Sequence, residues 1–247
     1  MLRSDPKPVT LRLIGQMEAW SRRNEGLLPS GRKARALLAI LALSGGNPVL
    51  RCSAAALLWS RRGENEARAS LRQELHALHS ALAPANTEIL LVTRYHLGLK
   101  PDVVWIDVEE VMRATPDQPD ALSLLNGDLL ECLEGIDPSF DVWLADKRHT
   151  LRDHARSVVE AALRKQVEPD ATISAAKRLL QIDRAHEGAW RALMSSSAEK
   201  GEHGMAVQAY DQCRRTLADL FDAVPSDETG QLLIAIRGPQ TVPRQKH

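Results

Sequence analysis

The sequence lacks the patterns on which several functional classes depend. Its three cysteines, Cys52, Cys132 and Cys213, are odd in number and far apart, which argues against a disulfide framework and a paired-cysteine metal site. No apolar run approaches the roughly 18 residues of a membrane-spanning helix, and the N-terminus lacks the apolar core of a signal peptide. We therefore expect a cytoplasmic protein with no membrane partner.

Motifs of nucleotide and acyl-transfer chemistry are also missing. The chain contains no GxxxxGK(S/T) or GxGxxG phosphate-binding loop and no GxSxG nucleophile motif. His76 and His79 are three residues apart, a spacing that can hold a metal ion on a helix, but no further ligand lies nearby in sequence. We expect a protein that is not an enzyme and that has no cofactor and no metal site.

The net charge is zero, but the charges are unevenly distributed along the chain. Residues 1–100 contain 15 Lys and Arg against 7 Asp and Glu, whereas residues 101–247 contain 17 against 25. The first part therefore has an excess of eight positive charges and the second an equal negative excess. A basic part joined to an acidic part is the pattern expected when only one domain meets a polyanion.

The strongest helical pattern lies at Glu64–Leu82. Four leucines from Leu71 to Leu82 recur at helical spacing on one side, with Ala67 beside them. The opposite side carries small and polar residues, Arg72 and Gln73 among them, and such a face fits the DNA major groove. An ordinary amphipathic helix with a solvated face has the same pattern, so the flanking elements must decide between the two.

The elements on either side of this helix follow the order of a winged helix. The predicted bounds are strands at 9–15 and 17–23, a helix at 31–43 with Ser30 as its N-cap, a short helix from the N-cap Ser53 to Trp59, a hairpin at 89–99 and a strand at 103–108. Together with the 64–82 helix they give strand, helix, helix, helix and hairpin, the order of a winged helix-turn-helix.

Two cations at the start of the predicted 31–43 helix, Arg32 and Lys33, lie where the helix dipole repels positive charge. This placement indicates a phosphate partner, and simple solvation explains it equally well. The sequence leaves both interpretations open.

From residue 120 onward the pattern is almost wholly helical. Helices are predicted at 120–133 and 138–167, followed by further helices to Ile236, with breakers between them. Asp137 and Asp141 are interpreted as helix-start residues. The predicted fold is mainly α with a small β component: a winged helix-turn-helix domain at 1–110, an α-helical tetratricopeptide-like domain at 111–240 and a tail at 241–247.

The repeat pattern depends on the stretch 187–220. Trp190, Tyr210 and Cys213 occupy the positions where a tetratricopeptide repeat places large, aromatic and small residues, and Gly201 occupies the turn between its helices. Trp190 and Tyr210 are therefore predicted to be largely buried. An unrelated helical bundle is the alternative.

Six stretches, in this order, resemble one known family: GRKARALLAILAL, the LLW at Leu57–Trp59, ARASLRQEL, DVVWIDV, GDLLECLEGIDPSFDVWL and AYDQCRRTL. From about Leu11 to Arg237 the chain is similar to bacterial transcriptional activators of the Streptomyces antibiotic regulatory protein type. The resemblance implies an OmpR-like winged helix followed by a bacterial transcriptional activator domain. It also implies binding to direct repeats in double-stranded promoter DNA, recruitment of RNA polymerase, and a location on the nucleoid. A homodimer is one assembly it allows.

The resemblance also assigns roles by position, with the recognition helix at Glu66–Leu82 and the wing at Thr93–Leu99. The expected DNA-binding residues are Arg68, Arg72, Gln73, His76, His79 and Ser80 on the helix, Arg94 in the wing, and Arg32 and Lys33. The loop expected to face the polymerase consists of Ser60, Arg61, Arg62, Gly63, Glu64 and Asn65.

One departure from the family weakens the expectation of DNA binding. Relatives commonly carry arginines near the positions of Ala77, His79 and Ser80, and the loss of those charges should weaken phosphate anchoring. The alternative function is therefore a tetratricopeptide-like protein-interaction module whose degenerate winged helix does not bind DNA.

Overall fold

The structure, a computed structural model, describes residues 7–238 of the 247, so the predicted tail at 241–247 lies outside the described residues. The strands of the described part are β1 (Val9–Arg12), β2 (Glu18–Ser21), β3 (Val49–Leu50), β4 (Leu90–Val92), β5 (His96–Leu99) and β6 (Val104–Ile106). Its α-helices are α1 (Arg32–Ala42), α2 (Arg51–Leu58), α3 (Glu64–Leu82), α4 (Asp107–Arg113), α5 (Pro138–Lys165), α6 (Pro169–Ile182), α7 (Glu187–Glu199), α8 (His203–Phe221) and α9 (Asp227–Arg237).

These elements are divided between two compact units. The first contains the chain up to Ala114 together with Asp120–Leu151, and the second contains Thr115–Pro119 and the chain from Arg152 onward. The division therefore falls within α5 and differs from the boundary that the sequence pattern places after residue 110. The fold class itself is confirmed: a winged helix-turn-helix with small sheets, followed by a helical domain.

The first unit has a helical core and two small sheets. One sheet has the order β2-β1-β6, with β1 antiparallel to β2 and parallel to β6; the other has the order β3-β5-β4 and contains the hairpin of the wing. Helix α1 is buried on nearly all sides from Ala34 to Ala42, as its apolar composition requires. It contacts α2, α3 and β5, and so forms the centre of the winged helix.

The serine N-caps predicted for the first two helices are wrong. Helix α1 begins after Gly31 without a side-chain cap, and α2 begins at Arg51, directly after β3. The N–H of Arg51 donates to the carbonyl of Tyr95 at 2.9 Å. A backbone carbonyl of the distant hairpin thus accepts from the first N–H of α2.

The helix predicted at 120–133 is also wrong. Only Asp120–Leu124 is helical, as a short 3-10 helix, and the chain then runs beside the end of β1. Leu130 N donates to Leu13 O at 2.7 Å, and Gly15 N donates to Asp128 O at 2.7 Å. A Cβ on Gly127 would lie 2.9 Å from the Cα of Gly15, so this approach requires glycine. These long-range backbone bonds replace the helical ones.

Asp107, in the DVVWIDV stretch, joins β6 to the chain that follows β1. Its buried carboxylate accepts hydrogen bonds from the backbone N–H groups of Leu13, Ile14 and Val108 at 2.8–3.0 Å. Burial raises the pKa of Asp107 above its ordinary value, and the three donors oppose that rise. The carboxylate thus satisfies backbone donors that have left the strand ladder.

Asp107→Asn should lower the free energy of unfolding by about 2–3 kcal/mol, because an amide N–H₂ would face backbone donors in place of a carboxylate oxygen. Chemical denaturation of the full chain measures this change. Asp102→Asn, at an exposed position five residues earlier, should change stability by less than about 0.5 kcal/mol. Equal effects of the two substitutions would contradict the assigned role of Asp107.

The second unit stacks α6 against α7, α7 against α8, and α9 against both α7 and α8. Trp190 is buried, as predicted, and its indole N–H donates to Arg184 O at 2.9 Å; Cys213 is also fully buried. Tyr210 is of intermediate exposure, so it is less completely covered than Trp190. Gly201, at φ +78°, makes the turn between α7 and α8.

The start of α9 is bound to α7 by one carboxylate. Glu187 accepts hydrogen bonds from Ser226 N, Ser226 Oγ and Thr229 Oγ1 at 2.7–2.9 Å. Burial alone would raise the pKa of Glu187, but these hydrogen bonds hold it below its usual value. None of the helices within residues 7–238 is long and apolar enough to cross a membrane.

Candidate nucleic-acid interface

The candidate interface is built on α3, which follows α2 after a short turn. Its apolar row, Ala67, Leu71, Leu75, Leu78 and Leu82, is buried, and α3 contacts both α1 and α2. The leucines that recur at helical spacing in the sequence therefore lie on the buried side of the helix. The opposite face is left to solvent along the whole helix.

We call Arg68, Arg72, Gln73, His76, His79 and Ser80 the outer face of α3; all six are exposed. Two of them already have partners: Arg68 pairs with Glu64 one turn earlier, and Ser80 Oγ donates to His76 O at 3.0 Å. Among the described residues, the other four side chains make no intramolecular hydrogen bond or ion pair. They are the groups of this face that are available to a ligand.

The wing forms where it was predicted, by the antiparallel pairing of β4 and β5. Thr93 closes its tip: Thr93 N donates to His96 O, and His96 N donates to Thr93 Oγ1, both at 2.9 Å. Arg94 is exposed at this tip and its guanidinium lies over the ring of Tyr95, 5.2 Å from the centroid. The hairpin thus presents an exposed cation at its tip.

Arg32 and Lys33 are engaged elsewhere in the first unit. Arg32 donates to the backbone carbonyls of Cys132 and Glu134 at 3.1 and 2.6 Å. Lys33 donates to Leu58 O at 2.6 Å and lies over the Trp59 ring, 4.9 Å from the centroid. Burial lowers the pKa of Lys33. Both cations therefore have partners within the first unit, and their contact with phosphate stays a prediction.

The predicted polymerase-facing loop, Ser60–Asn65, is partly helical, because α3 already begins at Glu64. In the remaining turn, Arg62 donates to Ser70 Oγ at 2.8 Å and Ser60 is bound to Asp137. Arg61 is exposed and makes no hydrogen bond or ion pair with the rest of the described chain. Arg61 is therefore the cation of this turn that is available to a partner.

Asp137 is a residue whose wider role sequence reasoning missed. It does start α5, as predicted, since Ser139 N donates to its Oδ1 at 3.0 Å. The same carboxylate also accepts from Ser60 N at 3.0 Å and from Ser60 Oγ at 2.6 Å. A separation of 77 residues gives no sequence signal for this contact.

The acidic excess does not follow the division into units. Residues 101–151 contain 12 Asp and Glu against 3 Lys and Arg, whereas residues 152–247 contain 13 against 14. Most of the acidic segment belongs to the same unit as α3. Several of its carboxylates are bound internally, Glu134 by Arg148 and both Glu109 and Glu110 by Arg113.

Metal binding has no geometric support in the part of the chain that the structure describes. No group of three or more His, Cys, Asp or Glu residues there could hold an ion, His76 and His79 included. An open groove of about 530 Å³ lies between the C-terminal end of α3 and β4, with His79 on its wall.

The described chain combines a winged helix-turn-helix, a motif whose second helix can lie in the DNA major groove, with stacked helix pairs. Residues 106–237 match the model of the bacterial transcriptional activator domain, more than half of the chain, and the chain belongs to this family. This match confirms the resemblance to bacterial transcriptional activators that the sequence motifs indicate. This is a family of transcriptional regulators, not of enzymes.

A solved structure supports the same fold. The chain is similar to Mycobacterium tuberculosis EmbR in complex with a low-affinity phosphopeptide, with a TM-score of 0.63 and 21% identity. The similarity covers 94% of this chain and 65% of the EmbR chain, so this chain spans less than two thirds of that protein. At this identity the likeness concerns the fold alone. A comparison with curated proteins finds no match.

Proposed function

We propose that the chain regulates transcription by binding double-stranded promoter DNA through the outer face of α3 and recruiting RNA polymerase. The observation that carries the proposal is that Arg72, Gln73, His76 and His79 are exposed along one helix and, within the described residues, have no intramolecular polar partner. Long polar side chains of this kind reach base edges when a helix lies in the major groove. The family is one of transcriptional regulators, in agreement with this use.

The side chains divide into base-reading and phosphate-binding groups. A guanidinium can bind guanine through two hydrogen bonds, and a glutamine amide can do the same for adenine, so Arg72 and Gln73 are assigned to bases. Arg94 at the wing tip is assigned to phosphate or the minor groove. Arg68 is assigned to phosphate as well, which requires it to break its ion pair with Glu64. Direct repeats would accommodate two copies of the chain, which includes the homodimer suggested by the resemblance.

The polymerase contact is assigned to the turn before α3. Arg61 is exposed on this turn, while its neighbours Ser60 and Arg62 are bound within the protein. An exposed cation on a fixed turn can pair with an acidic surface of the polymerase once the promoter is bound.

The proposal is tested with the full chain and a random-sequence duplex library. Selection should enrich a repeated motif, and affinity for the enriched duplex should fall steeply with salt, each neutralised phosphate adding about −0.9 to the log–log slope. Absence of binding at low salt, or binding indifferent to salt, would exclude DNA as the ligand.

The interaction-module alternative is favoured by one observation. Arg68 is already paired with Glu64, which leaves Arg72 as the arginine of the outer face that is available without a competing ion pair. If the selection enriches nothing while the folded chain still binds protein partners, this alternative replaces the first proposal.

Two substitutions separate base reading from phosphate binding. Arg72→Ala should lower affinity for the enriched duplex by about 1–3 kcal/mol and affinity for a scrambled duplex much less. Arg94→Ala should weaken both duplexes about equally and reduce the salt slope by roughly one unit. Binding curves on both duplexes at several salt concentrations measure this. An equal effect of Arg72→Ala on the two duplexes would reduce that residue to a phosphate contact.

A further inference from the structure

The turn that leads into α3 is held from outside the winged helix. Asp137 precedes α5 and is 8% exposed. Its Oδ2 accepts from Ser60 N, while its Oδ1 accepts from both Ser60 Oγ and Ser139 N. One carboxylate therefore caps α5 and also binds Ser60. Ser60 directly follows Trp59, the C-cap of α2.

The other backbone hydrogen bonds of this turn are local. Trp59 N donates to Ala55 O and Arg62 N donates to Trp59 O, both within the helix-turn-helix itself. Gly63, the N-cap of α3, has no side chain to cap the helix. Within the described chain, Ser60 is the turn residue with a hydrogen bond to a distant element, through Asp137.

The carboxylate is charged under ordinary conditions. Burial alone would raise the pKa of Asp137, but hydrogen bonds from Ser60 and Ser139 hold it below its usual value, with Lys33 assisting. Hydrogen bonds to an ionised acceptor are shorter and stronger than those between neutral groups. At neutral pH the hydrogen bonds from Ser60 to Asp137 are therefore of this stronger, charge-assisted kind.

The position of the turn sets the position of the helix that follows. Only three residues lie between Ser60 and the first residue of α3, Glu64, so a displacement of Ser60 shifts the helix start. Contacts from Arg72 and Gln73 to base edges tolerate displacements of only about 0.5 Å before hydrogen-bond geometry is lost. Contacts to phosphate by flexible cations tolerate more.

We propose that Asp137 is a positioning residue for DNA recognition, which holds α3 in the register that base reading requires by fixing Ser60. The inference rests on the proposed function, since it concerns the same helix. Asp137 lies within the range matched by the bacterial transcriptional activator domain. That domain thus contributes a side chain to the DNA-reading machinery, in addition to any role in activation.

The experiment uses the full chain and three variants: Asp137→Asn, Ser60→Ala and the double variant. Ser60→Ala is the mildest, because it removes one hydroxyl and leaves the Ser60 N–H donor in place. Asp141→Asn is the matched control: Asp141 accepts from Gly135 N at 2.9 Å in the same segment without contacting the turn. Each protein is assayed on the enriched and the scrambled duplex, and thermal unfolding is recorded alongside.

Asp137→Asn should lose about tenfold in the ratio of enriched to scrambled affinity and Ser60→Ala a smaller factor, with scrambled binding and its salt slope unchanged in both. The double variant should lose no more of this ratio than Asp137→Asn alone, because both substitutions break the same contact. Asp141→Asn should keep the wild-type ratio even if it unfolds earlier. Folded Asp137 and Ser60 variants with a wild-type ratio would overturn the inference.

Amide hydrogen exchange separates this outcome from failure of the proposed function. In Asp137→Asn, exchange over residues 60–68 should accelerate at least tenfold, while exchange in α1 stays unchanged. If the wild type never discriminates between duplexes but exchange accelerates as expected, DNA recognition is rejected and Asp137 still holds the turn. Unchanged exchange at the turn rejects the inference whatever the DNA result.

Discussion

Trp190→Ala is expected to lower the free energy of unfolding by about 3–5 kcal/mol, because it leaves a large cavity in the second unit. Trp190 is 7% exposed, and its indole N–H is bound to Arg184 O. Truncation removes the ring and leaves this carbonyl without its donor. Thermal and chemical unfolding of the full chain, followed by circular dichroism, measure the loss.

Phe221→Ala is the matched control, since Phe221 is an aromatic residue of the same unit that is 65% exposed. Its truncation should change stability by less than about 0.5 kcal/mol. A Trp190→Ala protein as stable as the wild type would show that the helices do not pack around this residue, and the tetratricopeptide-like packing of the second unit would have to be abandoned.

Periodic apolar patterns were sufficient to predict most of the fold. The rows on α1 and α3 are buried as their spacing requires, since an amphipathic helix has one stable way to face a core. The hairpin at β4 and β5 was predictable for the same reason, from two short apolar runs around a polar tip. Elements that are determined by their own residues are the ones that sequence reasoning recovers.

Elements determined by distant backbone groups were not recovered. The 125–137 segment has helix-forming residues, but its N–H and C=O groups bond to Leu13 and Gly15 more than 110 residues away. Leu130 and Cys132 consequently adopt positive φ values of 54° and 69°, which a helix excludes. Likewise, the carbonyl partners of Arg32 lie 100 and 102 residues away, and nothing near Arg32 in sequence announces them.

The sequence predicted which side of α3 is exposed, but not the partners of its side chains. Helical spacing places Arg72 and Gln73 opposite the leucines, and the structure exposes both. The ion pair of Arg68 with Glu64 has the i, i+4 spacing of a helix, and sequence reasoning overlooked it. Spacing could not predict that the turn before α3 depends on Asp137, because that contact arises from tertiary packing alone.

Phe140→Ala is expected to destabilise the first unit by about 3–5 kcal/mol and, under the proposed function, to abolish DNA binding at temperatures where the wild type is still folded. Phe140 is fully buried, with its ring centroid 5.3 Å from that of Trp143, yet it lies 30 residues beyond the predicted winged-helix domain. It belongs to the compact unit that contains α3. Truncation of this ring should therefore also destabilise α3, which carries the outer face.

Hydrogen exchange on α3, together with binding to the enriched duplex, decides how far the DNA-binding unit extends. If residues 120–151 are part of it, Phe140→Ala should lower protection at the buried residues of α3, and a fragment ending at residue 110 should be less stable than the full chain. Val142→Ala, at a position 74% exposed on the same helix, should leave protection and binding unchanged. If Phe140→Ala instead leaves α3 fully protected, the winged helix is self-sufficient at 1–110, as the sequence pattern predicts. The outcome then separates a domain that reads DNA alone from one that needs the first turns of α5 to complete its core.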